Sequence, residues 1–216
     1  MAQTIKPPSV RQRNFLRACI NQYAELPKDV EDYLAARGIH PPVAARWKLG
    51  YVSEPMDGHE GYRDRLAIPY LTRSGPVTMT FRCLKDHDHK AWDCPKYLAE
   101  DGVYRPLFNA HAFTKPSGTI YAVEGELDAV VASSLGYPTV GCPGAGRWEK
   151  HWDMLFDGFE NVVALCDGDK AGREWGKKFR SQVRNATVRV LPDGHDTSSL
   201  VAEEGPEALD EWMVIS

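Results

Sequence analysis

The 216-residue chain has no run of eighteen apolar residues, and its first ten residues lack the apolar stretch of a secretory signal. Neither membrane insertion nor export is therefore expected, and the cytoplasm is the expected compartment. Cysteine is sparse: five residues, an odd number, stand at positions 19, 83, 94, 142 and 166. So few thiols, so scattered, give a chain of this size no disulfide framework, and reduced cysteines are expected. There is no internal repeat and no low-complexity tract, which excludes a solenoid. What is present is a 43% hydrophobic composition, enough to bury the core of one large domain or two small ones.

Charge is unevenly distributed. Residues 1–118 carry 17 Lys and Arg against 13 Asp and Glu, and residues 119–216 carry 9 against 17. A basic half beside an acidic half suits polynucleotide chemistry, with one half to meet phosphates and the other to hold cations.

The pattern of elements changes at the same place. Residues 28–36 and 43–47 read as short helices, with Gly38 placed to stop the first. Arg65–Leu71 and Val77–Cys83, joined through Ser74-Gly75-Pro76, read as a hairpin in which Pro69 favours an edge or irregular position. Residues 85–93 read as a polar loop. After the boundary at Thr114-Lys115-Pro116-Ser117-Gly118 the chain alternates: strands at 120–123, 138–141, 162–166 and 187–191, and helices at 126–135, 148–156 and 170–184. Such alternation predicts right-handed βαβ units and a mostly parallel sheet.

Two of those strands end in acids. Ile120-Tyr121-Ala122-Val123 runs into Glu124-Gly125-Glu126-Leu127-Asp128, and Val162-Val163-Ala164-Leu165 runs into Cys166-Asp167-Gly168-Asp169. Parallel strands bring these carboxylates into one crevice, where their repulsion calls for a divalent cation; hard oxygen donors suit Mg²⁺ or Mn²⁺. Cys83, His87, His89 and Cys94 form a second cluster with the ligand types of a structural Zn²⁺ site, although a polar loop would contain the same residues. Gly141 to Trp148 follows a strand, and its backbone amides could meet a phosphate, although its glycines serve first to make a turn.

Glu124 with Asp128, followed by Asp167-Gly168-Asp169, resembles the Toprim metal site, and the Asp-Gly-Asp-x-Ala-Gly form resembles that of bacterial (DnaG-type) primases. Tyr33 to Ile39, Leu49-Gly50-Tyr51, Arg65 to Pro69, Phe81 to Leu84, Pro95 to Leu98, Pro106 to Asn109 and Leu191 to Asp196 resemble successive segments of the same catalytic core. The resemblance implies an α/β fold: a Toprim domain, with a mostly parallel sheet flanked by helices, preceded by a smaller mixed α+β basic subdomain. The corresponding division is an amino-terminal extension over 1–27, the basic subdomain over 28–118, the Toprim domain over 119–203 and a carboxy-terminal helix over 204–216.

The resemblance further implies synthesis of short RNA primers from ribonucleoside triphosphates on a single-stranded DNA template. Asp167, Asp169 and Asp196 would hold Mg²⁺ or Mn²⁺, Glu124 would be a ligand or a base, and Asp128 would support Glu124 or an outer water. Arg82 and Lys96, with Arg65, match positions that meet nucleic acid or nucleotide. Ser198 stands where the family has an acid, which leaves one carboxylate fewer for a second metal. The sequence contains neither the family's zinc ribbon nor its helicase-binding domain. The expectation is a compact phage or mobile-element version in the bacterial host cytoplasm, working with a replicative helicase or a separate zinc-ribbon protein. The rival expectations are a Toprim nuclease and a non-catalytic nucleic-acid-binding accessory protein of replication.

Overall fold

Leu66, Ala67, Ile68 and Tyr70 are buried, as are Met79 and Phe81 across from them, and they build the antiparallel hairpin expected from the sequence. The computed structural model, which describes residues 7–100, 103–115, 117–142 and 148–213, extends this hairpin into a four-stranded antiparallel sheet. Its order is β1 (Gly50–Tyr51), β2 (Arg65–Thr72), β3 (Gly75–Cys83) and β4 (Tyr97–Ala99). β1 ends opposite Ala67, so at Pro69 the strand has a single sheet neighbour, where a residue without an N–H is tolerated.

Three helices accompany this sheet: α1 (Val10–Gln22), α2 (Lys28–Ala35) and α3 (Pro41–Trp47). α1 is an element that the sequence reading did not anticipate. Ser9 caps it, its hydroxyl accepting from the Gln12 N–H while the Gln12 side chain accepts from the Ser9 N–H. Leu16, Cys19 and Ile20 of the helix join Ala67, Met79 and Phe81 in one core cluster.

The chain divides into two compact units, Met1–Ala35 with His40–Pro106, and Ala36–Ile39 with Leu107–Ser216. The second unit contains β5 (Thr119–Val123), β6 (Thr139–Gly141), β7 (Asn161–Cys166) and β8 (Ala186–Val190), in the order β6-β5-β7-β8 and parallel throughout. α4 (Glu126–Ser134), α5 (Lys170–Gln182), α6 (Thr197–Glu204) and α7 (Asp210–Met213) complete it. The strands read as continuous apolar runs because both faces are covered: Ile120, Ala122, Val162 and Ala164 share a core with Trp152, Phe156 and Phe179 on one face, and Tyr121, Val123, Val163 and Leu165 are buried on the other. The fold is thus α/β, with a parallel sheet flanked by helices and a separate antiparallel sheet.

One expected helix is absent. Residues 148–156 form successive tight turns, with a single 3₁₀ segment at Asp153–Leu155, bonded from the Trp152 N–H to Glu149 O and from the Phe156 N–H to Asp153 O. Trp148, Trp152 and Phe156 recur every fourth residue and pack together, so the aromatic spacing mimics an α-helix while the backbone bonds run three residues back. Residues 143–147, where a phosphate-meeting turn was expected, lie outside the described residues. No helix among the described residues is long and apolar enough to cross a membrane.

Candidate metal centre

β5 connects through α4 to β6 on one side and lies against β7 on the other, so the winding of the sheet reverses between β5 and β7. Ligands of open α/β sheets bind at the carboxyl ends of strands flanking such a reversal. Glu124 directly follows β5 and Asp167 directly follows β7. Asp128 lies in the first turn of α4. Asp169 caps α5, its Oδ1 accepting from the Gly172 N–H at 2.7 Å, and Asp196 caps α6, its Oδ1 accepting from the Ser199 N–H at 2.7 Å.

The loop after β7 is held against the loop after β8 by its glycine. The Gly168 N–H donates to His195 O at 2.7 Å, and the Gly194 N–H donates back to Gly168 O at 3.2 Å. A Cβ at position 168 would lie 1.8 Å from Pro192 O, so only glycine permits this approach. The consequence is that Asp167, Asp169 and Asp196 are positioned by one backbone junction.

The acids affect one another. Burial, reinforced by Asp128, Glu124, Asp196 and Asp169, pushes the Asp167 carboxyl up to about 8. Burial, with Asp169 and Asp128 adding to it against the Asp167 N–H, pushes the Glu124 carboxyl up to about 7. Glu124 Oε1 and His195 Nδ1 are buried without a hydrogen-bond partner in the described structure. A crowded set of carboxylates with an unsatisfied oxygen fits a hard divalent cation, which neutralises the charge and takes up that oxygen.

These shifts set the sign of a pH effect. Both groups bind protons more tightly in the fold than at their ordinary values of 4.5 and 3.8, so the fold is favoured while they stay protonated. Their contribution is lost as pH rises through about 7 and 8. Without divalent cation, the melting temperature is expected to carry a loss between pH 6 and pH 8.5 that Mg²⁺ reverses. The Mg²⁺-induced stabilisation, measured by calorimetry, should grow across that range; an Mg²⁺ effect independent of pH would contradict it.

Ser198 has a role that its identity alone did not reveal. Its N–H and its hydroxyl both donate to Asp128 Oδ1, at 3.0 and 2.6 Å, so Asp128 is tied to the start of α6, two residues from Asp196. An acid at position 198 would face Asp128 with like charge; serine replaces that repulsion with a hydroxyl donor beside the backbone N–H.

Residues 121–201 match the Toprim-like family model. The chain is 39% identical over 155 residues to the Gene 57 protein of Mycobacterium phage D29, an alignment covering 69% of this chain and 98% of that protein. The chain belongs to the family of that phage protein and carries a Toprim-like domain. It is 24% identical over 233 residues to the DNA primase of Salmonella typhimurium, covering 86% of this chain but only 39% of that primase's length. In fold it is similar to a DnaG primase catalytic domain bound to single-stranded DNA, with a TM-score of 0.72, 23% identity, and coverage of 93% of this chain and 77% of that one.

The basic positions expected from the sequence fall in the first unit. Arg82 is half-buried between two phenols, its Nε donating to Tyr33 Oη at 2.8 Å and its Nη1 to Tyr97 Oη, with its guanidinium 5.9 and 5.1 Å from those ring centres. Both tyrosines lie in segments named from the sequence, but their role was not legible there, because only the fold brings residues 33, 82 and 97 together. Lys96 is exposed just before β4, and its carbonyl accepts from the Cys83 N–H at 2.9 Å. Arg65 is 8% exposed; its Nη1 donates to Pro95 O at 2.8 Å and its Nη2 to Cys94 Sγ at 3.4 Å, so its guanidinium holds a loop of its own unit. Cys83, His87, His89 and Cys94 are brought together, with their donor atoms within 4.8 Å of one another.

Proposed function

We propose that the chain is a metal-dependent nucleotidyltransferase of primase type, which synthesises short RNA primers on a single-stranded DNA template. The observation that carries this reading is the crowding on Asp167, where burial and four further acids raise its proton affinity at the carboxyl end of a parallel sheet. Its kinship with the phage Gene 57 protein and with DNA primases supports the same reading.

Asp167, Asp169 and Asp196 are the proposed ligands of Mg²⁺ or Mn²⁺, which when bound orients the triphosphate and neutralises charge on the attacking and leaving oxygens. Glu124 is a further ligand or the acceptor of the 3′-hydroxyl proton, and a proton affinity near neutrality suits the second role. Asp128, through Ser198, positions Asp196. Arg82 and Lys96 meet the template or the incoming ribonucleoside triphosphate. A replicative helicase or a zinc-ribbon protein is its proposed partner in the host cytoplasm.

The test is RNA synthesis from labelled ribonucleotides on single-stranded DNA in Mn²⁺ or Mg²⁺. Template-directed oligomers that disappear with chelator and in Asp169→Ala are expected. Strand cutting that needs no nucleotide and yields no RNA would instead indicate a Toprim nuclease. Cation-independent DNA binding with no product would indicate a non-catalytic accessory protein.

A further inference from the structure

The connection between β3 and β4 runs over residues 84–96, thirteen residues with no helix or strand of their own. Connections of this length inside a compact unit are uncommon unless something holds them. Apolar packing does not hold this one. Trp92, its one aromatic residue outside the histidines, is 73% exposed, and Lys85, Asp86, Asp88, Lys90, Ala91, Asp93, Pro95 and Lys96 are exposed as well. Apart from Leu84, the residues of the loop that turn inward are His87, His89 and Cys94, and they meet Cys83 at the end of β3.

The distances are those of a coordination shell. Cys83 Sγ and Cys94 Sγ are 3.7 Å apart, Cys83 Sγ and His87 Nε2 are 3.7 Å apart, and His87 Nε2 and His89 Nδ1 are 3.0 Å apart. Tetrahedral Zn²⁺, with Zn–S of about 2.3 Å and Zn–N of about 2.0–2.1 Å, requires edges of about 3.8, 3.6 and 3.4 Å for those three pairs. The pairing of His89 Nδ1 with Cys94 O at 2.9 Å belongs equally to a hydrogen-bonded loop, but the two converging thiols do not gain from such a bond. Arg65 adds a donor to one sulfur, the kind of outer contact that steadies a bound thiolate.

We propose that Cys83, His87, His89 and Cys94 bind one structural Zn²⁺ that clamps the β3–β4 connection in the first unit. Two thiolates and two neutral imidazoles leave the site uncharged and match the preference of Zn²⁺ over harder cations. The clamp lies between the two basic positions: Arg82 precedes Cys83 on β3, and Lys96 follows Cys94 by two residues. It would therefore fix the segment that carries Lys96 and Tyr97 against the strand that carries Arg82.

The experiment is elemental analysis of the full chain after dialysis against metal-free buffer, followed by Co²⁺ titration of the chelator-stripped protein. One equivalent of retained zinc is expected, and stripped protein should take up one equivalent of Co²⁺ with tetrahedral d–d bands and thiolate-to-cobalt charge transfer. Cys94→Ser should keep the d–d bands but lose about half of the charge-transfer intensity. Zinc well below one equivalent, together with octahedral Co²⁺ spectra or a Cys83–Cys94 disulfide, would overturn the proposal. Because the titration uses the unaltered sequence, failure of a variant to fold does not obscure the result. Failure of primer synthesis would leave the zinc result standing, since zinc content and Co²⁺ spectra do not depend on catalysis.

Discussion

Replacing Asp167 with asparagine should lower primer synthesis about a thousandfold, the upper end of what removing one preorganised charged or polar group costs. The same change should raise the melting temperature of the cation-free protein at pH 8 by about 2–8 °C, the shift that one or two kcal/mol gives in a chain of this size. The two effects have opposite signs for one reason. Asp167 is pushed up to about 8 by burial and by Asp128, Glu124, Asp196 and Asp169, so the unmodified fold bears a cost that an amide removes. At pH 5 the native carboxyl is protonated while the unfolded chain is largely ionised, so the stability gain should be much smaller than at pH 8, and it should vanish only below the ordinary value of 3.8. A carboxylate serving only the fold would lose stability together with activity, so calorimetry at the two pH values separates the roles.

Gly168→Ala should be the most damaging single-methyl substitution at this centre. The added Cβ would meet Pro192 O at 1.8 Å and Leu191 O at 2.9 Å, and neither is the end of a flexible side chain. The loops after β7 and β8 must separate, which breaks the bonds from the Gly168 N–H to His195 O and from the Gly194 N–H to Gly168 O. A loss of about 3 kcal/mol or more is expected, together with loss of Mn²⁺ affinity, because Asp167 and Asp169 flank the residue that moves. Gly158→Ala is the control: nothing lies within 4 Å of its would-be Cβ, and its effect should stay within about 0.5 kcal/mol. Equal denaturation midpoints for the two variants would contradict this account of the junction.

The carboxylate centre was legible because its signals are local. Ile120 to Val123 and Val162 to Cys166 are apolar runs of strand length ending in acid-glycine pairs, and buried parallel strands leave that trace. The capping box of α1 was also written locally, in Ser9 and Gln12, but Arg11, Arg13 and Arg17 on the same helix dilute its apolar stripe. The 148–156 segment was misread because aromatic residues four apart satisfy an α-helix and successive tight turns alike. Contacts distant in sequence left no trace at all. Ser198 meets Asp128 across 70 residues, and Tyr33 meets Arg82 across 49. The loop role of Arg65 depends likewise on Cys94 and Pro95, some thirty residues on. The Cys83 to Cys94 spacing announced four ligand types, but their convergence could be read only from the folded loop.

The central claim is that these acids form one cation platform, and anomalous diffraction from crystals soaked in Mn²⁺ tests it most directly. A peak is predicted at about 2.1 Å from Asp167 and from at least two of Glu124, Asp169 and Asp196. Their carboxylates left bare of metal at saturating Mn²⁺ and pH 8 would contradict it.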